Sequence, residues 1–193
     1  MKGSSLIVIA ALGVGAAAVR AVPRATPVPP RASVSAGAPV ERGRYLVSVL
    51  ACGDCHTPKK MGANGPEPDA SRLLAGYVDE KLPAPPPASG PWIAQTTGQQ
   101  TAWAGPWGVS FSKNLTPDQN TGIGSWSEAT FVKALRTGRH MGVSRPILPP
   151  MPWDAYRNLT DDDLKAVYAY LRSIPPIRNP QPDPLPPPAA PGK

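Results

Sequence analysis

The pentapeptide Cys52-Gly53-Asp54-Cys55-His56 constrains this chain more than any other stretch, because it holds both of its cysteines and one of its two histidines. Two thiols separated by two residues on one helical turn can reach the vinyl groups on adjacent edges of a single porphyrin. The residue that follows can place an imidazole beneath the iron. Three other chemistries share some of these side chains. A thioredoxin-type dithiol needs a βαβ setting, and none is visible around the motif. A zinc site needs four ligands, which would use Cys52, Cys55, His56 and His140, with the adjacent Cys55 and His56 crowded onto one ion. A plain disulfide leaves His56 without a role. Covalent haem c, one group for one motif, accounts for all three side chains, with His56 as a ligand of the iron.

The flanks of the motif read as parts of an exported protein. Lys2 followed by the apolar run Leu6–Val19 and the small-residue end Val19-Arg20-Ala21 has the form of a signal peptide over residues 1–21. A spanning helix needs about 20 apolar residues, so this run is short for a permanent anchor, the alternative reading. Residues 22–39 form a Pro/Ala-rich linker, 40–175 the domain itself, and 176–193 a Pro-rich C-terminal tail. The 28 prolines concentrate in the linker, the tail and the stretch between the motif and Pro106, which is therefore expected to be irregular. The net charge of +7 does not mark a nucleic-acid binder. Residues 40–174 carry fourteen basic and twelve acidic side chains, and the excess lies in the termini.

Within the domain, three helices are expected. Glu41–Ala51 carries Tyr45, Leu46, Val49 and Leu50 at helical spacing and runs straight into Cys52. A second opens with Ser125-Trp126-Ser127-Glu128, read as a capping box with Ser125 as N-cap. Phe131, Val132 and Leu135 form its apolar face, and Gly138 stops it. A third follows the capping box Thr160–Asp163, buries Leu164, Val167, Tyr168 and Leu171, and ends at Pro175-Pro176. Between Thr57 and Asn114 the pattern is weaker. Arg72–Ala75 suggests a helical turn or two, and the alternation of Trp107, Val109 and Phe111 suggests a short strand.

These motifs together resemble the class I cytochrome c family, and within it the bacterial cytochrome subunits associated with periplasmic alcohol and aldehyde dehydrogenases. The resemblance rests on Glu41-Arg42-Gly43-Arg44-Tyr45-Leu46, on Cys52–Pro58, and on Asn114-Leu115-Thr116-Pro117-Asp118. It continues through Thr121–Trp126, Met151–Tyr156 and Leu159–Pro176. It implies an all-α fold around one haem, with the first and last helices crossing at Gly43 against Tyr168 or Tyr170, and a long irregular insertion between the haem motif and the middle helix.

Four side chains compete for the other face of the iron. Met61 follows the motif too closely to cross the porphyrin edge. His140 and Met141 sit at the end of the second helix, where a histidine also suits the helix dipole. Met151 lies in Pro149-Pro150-Met151-Pro152, where prolines stiffen the loop and present the thioether, and where the resembling family has its methionine ligand. An indole N–H can donate to a haem propionate, and Trp107 and Trp126 are the candidates, although buried aromatics fill any core. Asn114 is a candidate polar contact to the haem edge or a turn residue. Lys133, Arg136, Arg139 and Arg145 form either a docking patch or an ordinary solvated face.

No nucleophile–base pair or substrate motif is present in the sequence. The expected function is therefore electron transfer with redox partners such as a dehydrogenase, an oxidase or another cytochrome, outside the cytoplasm. Membrane contact would come through residues 1–21 only. The rival is a haem enzyme or gas-binding protein with an open sixth position.

Overall fold

A computed structural model describes residues 38–78, 82 and 93–187. The export segment 1–21, the linker as far as residue 37 and the end of the tail lie outside the described residues. Among the described residues no helix is long and apolar enough to cross a membrane.

The frame is a pair of crossed helices, α1 (Ala38–Val49) and α5 (Asp161–Ser173). The buried face of α1 is Gly43, Leu46 and Val47, whereas Tyr45 and Val49 are more than half exposed. The face is therefore rotated from the one expected from Tyr45 and Val49, and Gly43 explains why. A Cβ there would lie 1.9 Å from the carbonyl oxygen of Ala166 and 2.7 Å from Cβ of Tyr170. Only a glycine lets the backbones meet, and the residues three and four positions on follow it into the contact. Arg42 Nε donates to Asp163 at 2.9 Å beside the crossing. On α5, Leu164, Ala166, Val167 and Leu171 are buried. Thr160 caps its first turn by accepting from the Asp163 N–H, and Pro175, with no N–H, prevents its continuation.

Helix α1 does not run into the motif as expected. Ala51 adopts a left-handed conformation (φ 56°), and the separate short helix α2 (Cys52–His56) starts in a new direction. Helix α3 (Glu128–Thr137) begins two residues later than the expected capping box. Its N-cap is Ser127, whose hydroxyl accepts from the Thr130 N–H. Trp126 remains in the preceding turn, its N–H bonded to Ile123 O and its carbonyl to the Tyr168 hydroxyl. Gly138 closes α3 in the left-handed conformation, under the ring of Trp153 from the four-residue helix α4 (Trp153–Tyr156).

The expectation of an all-α fold needs correction, because the segment between α2 and α3 contains two small sheets. Strands β1 (Lys59–Gly62) and β2 (Gly65–Pro68) form an antiparallel hairpin. Strands β3 (Gln95–Thr96), β4 (Ala102–Gly105) and β5 (Gly108–Phe111) form an antiparallel sheet in that order. Strand β5 covers Val109 and Phe111 of the expected strand, but Trp107 belongs to the β4–β5 turn, its ring against Gly105. Arg72–Ala75 is not helical beyond a single 3-10 turn at Ala70–Arg72.

The described part of the tail does not project from the domain. After α5 it lies across residues 75–77 and 109–121, held by Asn179 and Gln181, and pairs with β5 through reciprocal Leu185–Val109 bonds of 2.9 Å.

Candidate functional site

One deep cavity gathers the chemistry-bearing side chains. Cys52, Cys55 and His56 line it from α2, and Met151 from the loop before α4. Leu135 of α3 and Leu164 and Leu171 of α5 help make its wall apolar. The break at Ala51 turns α2 so that both thiols and the imidazole of one short helix reach the same space.

His56 is fixed from both ends. Its Nδ1 lies 2.7 Å from the carbonyl oxygen of Lys113, and its own carbonyl accepts from the Gly76 N–H at 2.7 Å. A carbonyl only accepts, so Nδ1 carries the proton and Nε2 keeps its lone pair. Burial lowers the pKa of the ring, and the Lys113 carbonyl opposes that shift only in part, so the imidazole is neutral at pH 7. A neutral ring with Nε2 as its basic atom is the form that ligates a metal, and the acceptor behind Nδ1 sets its orientation and basicity. Burial also pushes the Cys52 thiol up to about 11 and raises that of Cys55. Thiols so protonated are poor thiolate nucleophiles, unlike a dithiol redox centre. Among the described residues no cluster of three or more His, Cys, Asp or Glu side chains could hold a metal ion, so the zinc set is not assembled.

The sixth-ligand candidates separate by position. Met61 and Met141 are 79% and 43% exposed, and neither lines the cavity, whereas Met151 and His140 both do. The His140 ring stands edge-on to Trp126, and its Nδ1 is 3.3 Å from Ser144 Oγ. The Met151 loop is anchored by Ser110, whose hydroxyl donates to Pro149 O at 2.6 Å.

Trp107 lies outside the cavity lining; Trp103 and Trp126 lie within it. The reason is the β4–β5 turn, which removes Trp107 from the strand alternation. The Trp103 Nε1, like that of Trp107, is buried with no hydrogen-bond partner among the described residues, and Trp103, which was not among the expected propionate donors, borders the cavity. Nothing but its position in β4 could have distinguished it from the other tryptophans. Asn114 borders the cavity, but its amide is already committed. Nδ2 donates to Thr121 Oγ1 (3.1 Å) and to Ile177 O (2.7 Å), while Oδ1 accepts from Thr116 N and Oγ1. Both N–H bonds are used within the protein, an arrangement that fits the turn reading. Arg136 is engaged with Asp161 at 2.5 Å and with the carbonyl of Arg157.

Two thiols on one turn, a neutral buried imidazole, a thioether and an apolar wall are the donor set of a c-type haem, and the residues present fit that group. The chain matches no protein-family model. It is 34% identical over 174 residues to one of the nicotinate dehydrogenase subunits of Pseudomonas putida, covering 90% of this chain and 12% of that protein. It is 32% identical over 160 residues to the fructose dehydrogenase cytochrome subunit of Gluconobacter japonicus, covering 82% of this chain and 26% of that protein. It is 30% identical over 148 residues to the cytochrome c subunit of the quinone alcohol dehydrogenase of Gluconobacter oxydans, covering 75% and 24%. The chain thus spans about an eighth to about a quarter of the length of these relatives.

Proposed function

We propose that this chain, a relative of the cytochrome c subunits of bacterial dehydrogenases, binds a single haem c and carries electrons one at a time outside the cytoplasm. Cys52 and Cys55 would hold the porphyrin by thioether bonds, and His56 Nε2 and the Met151 thioether would ligate its iron. The observation that carries the reading is the neutral His56 locked through Nδ1 to Lys113 O, on the same helical turn as two cavity-lining thiols. Such a haem supplies a reversible one-electron iron couple. The chain's own side chains exclude water from the cavity, hold the imidazole in its ligating tautomer and present the thioether from a stiff loop. With His56 and Met151 both committed to the iron, oxygen or an organic substrate would find no free coordination site, which favours a carrier over an enzyme. The electron donor is a dehydrogenase that the haem protein serves, and the acceptor a further redox protein.

The test is the mass and spectrum of the denatured protein. The pigment should survive acid–acetone extraction, and the polypeptide should run one haem heavier. Cys52→Ala and Cys55→Ala should lose most of it. Met151→Ala should open the reduced iron to carbon monoxide, while Met141→Ala should not. Wild-type protein that releases all its pigment overturns covalent attachment, and native protein that binds carbon monoxide readily overturns the carrier.

A further inference from the structure

The Pro-rich segment after α5 touches the two pieces of chain that hold His56, and it does so through side chains. His56 is gripped by Gly76 N–H on its carbonyl and by Lys113 O on its ring. Gln181 spans both grips with one amide. Its Nε2 donates to Ala75 O at 3.1 Å, beside Gly76, and its Oε1 accepts from Asn114 N at 3.1 Å, beside Lys113. Asn179 Nδ2 donates to Ala75 O (2.8 Å) and to Tyr77 O (2.7 Å), on either side of Gly76. Lys113 Nζ reaches back to Pro182 O at 2.8 Å, and Pro184 reaches the cavity wall.

The sequence explains why this attachment uses side chains. From Asn179 to Leu185 every second residue is proline. Proline has no N–H, and it restricts the residue before it to extended conformations. The segment therefore cannot form a continuous strand. It is nevertheless stiff, so little chain entropy is lost when it lies down. The residues between prolines, Asn179 and Gln181, supply the donors that the backbone lacks. Gly108 admits the far end of the segment: a Cβ there would fall 2.0 Å from Leu185 O.

We propose that residues 177–185 are a strap that positions the proximal histidine, with Asn179 and Gln181 as its positioning residues. The inference rests on His56 being an iron ligand. The strap joins the 75–77 and 113–114 segments into one unit, so the acceptor behind His56 Nδ1 cannot move without breaking side-chain hydrogen bonds to the strap. A carbonyl held in place keeps the Nδ1–H bond closed, and with it the orientation and basicity of the ligand.

The experiment uses full-length, haem-loaded protein labelled with 15N-histidine, in the ferrous state, and follows exchange of the His56 Nδ1 proton by NMR. In Asn179→Ala/Gln181→Ala the proton is expected to exchange about ten-fold faster, as loss of several side-chain hydrogen bonds raises local opening. Val47→Ala, a core truncation in α1 remote from the strap, should lower the melting temperature without that acceleration. Unchanged exchange in the double variant overturns the strap, and so does equal acceleration in Val47→Ala at matched stability. If the double variant fails to load haem, Gln181→Ala alone carries the same comparison, with the same two outcomes. The mass of the denatured wild type reports separately on the haem reading. Wild type without covalent haem sinks that reading, whereas loaded wild type with unmoved variants sinks only the strap.

Discussion

The crossed helices and the segment that surrounds the haem motif are stabilised in different ways. In the α1–α5 pair, apolar side chains recur every three or four residues and meet across a contact that a single glycine makes close. Around His56, regular structure is short, and the order comes from amide and hydroxyl side chains bonded to backbone many residues away. Asn114, Asn179 and Gln181 alone link residues 75–77, 113–121 and 177–182. The frame is additive, layer upon layer. The surround is a network in which one hydroxyl or amide serves several partners, so single losses there spread further than their own bonds.

The sharpest way to break the frame is Gly43→Ala. The new methyl would collide with the Ala166 carbonyl, which is backbone and cannot rotate away, so α1 and α5 must separate. We expect a loss of about 3 kcal/mol, at the upper end of overpacking effects, measured by denaturant unfolding of the haem-loaded protein. A loss below about 0.5 kcal/mol, within the range of ordinary surface changes, would mean that the crossing adjusts easily.

The corresponding break in the surround is Asn114→Ala. It leaves the buried Thr116 N–H without its acceptor and removes one of two donors to the Ile177 carbonyl, which keeps the Thr116 hydroxyl. We expect about 2 kcal/mol by the same measurement, because each buried group left unpaired costs about 1–3 kcal/mol. Faster proteolysis within 177–187 than in Gly43→Ala of equal stability would show that the damage is local to the network.

These two substitutions also explain what was readable beforehand. Helix α5 announces itself by period, cap and stop and α3 by period and stop, and Thr160, Gly138 and Pro175 act where the pattern puts them, whereas the α3 cap is Ser127 rather than Ser125. Cys52, Cys55, His56 and Met151 have distinctive chemistry at distinctive positions, and the fold brings all four to one cavity. Apart from β5, signalled by Val109 and Phe111, the strands were hard to read because none exceeds four residues, too few for a period of two to emerge clearly. Lys113 acts on His56 through its carbonyl, a group every residue carries, so no side-chain pattern could single it out. The strap looked like a tail because its prolines exclude regular structure, and its bonds are made across more than fifty residues of sequence. Trp103 lies in β4 and Trp107 in the tight turn that follows it, a difference of four residues that composition does not reveal.

A smaller effect separates the two serines before α3. Ser127→Ala should cost about 1 kcal/mol, because Ser127 accepts the Thr130 N–H at the N-cap. Ser125→Ala should stay within about 0.5 kcal/mol, as for an exposed side chain outside the helix. If the two values come out reversed, the helix starts at the earlier serine in solution.

The smallest effect is a titration, and it asks whether charge contributes to the network at all. Thr121 has one hydroxyl proton, which it donates to Asp118 Oδ1 at 2.7 Å. Its lone pairs are thereby turned toward Asn114 Nδ2 and the Asn179 N–H, which donate to the same oxygen at 3.1 and 2.9 Å. The Asp118 carboxylate thus orients the hydroxyl on which the strap and the Asn114 turn converge. The Thr121 side-chain bond, with the Thr121 and Asn120 N–H groups behind it, holds the Asp118 pKa below its usual value, outweighing partial burial. A carboxylate whose folded pKa is depressed contributes stability that is complete above its unfolded pKa, near about 4, and is lost as pH falls through the lower folded value. Asp118→Asn keeps an acceptor oxygen but has no charge to lose. The melting-temperature gap between wild type and Asp118→Asn should therefore be constant from pH 7 to about pH 5 and close progressively below about pH 4. A gap that persists unchanged at about pH 2.5, where the unfolded carboxyl is protonated, would assign the difference to geometry. The network would then be held by neutral hydrogen bonds, with no contribution from the ionised carboxylate at its edge.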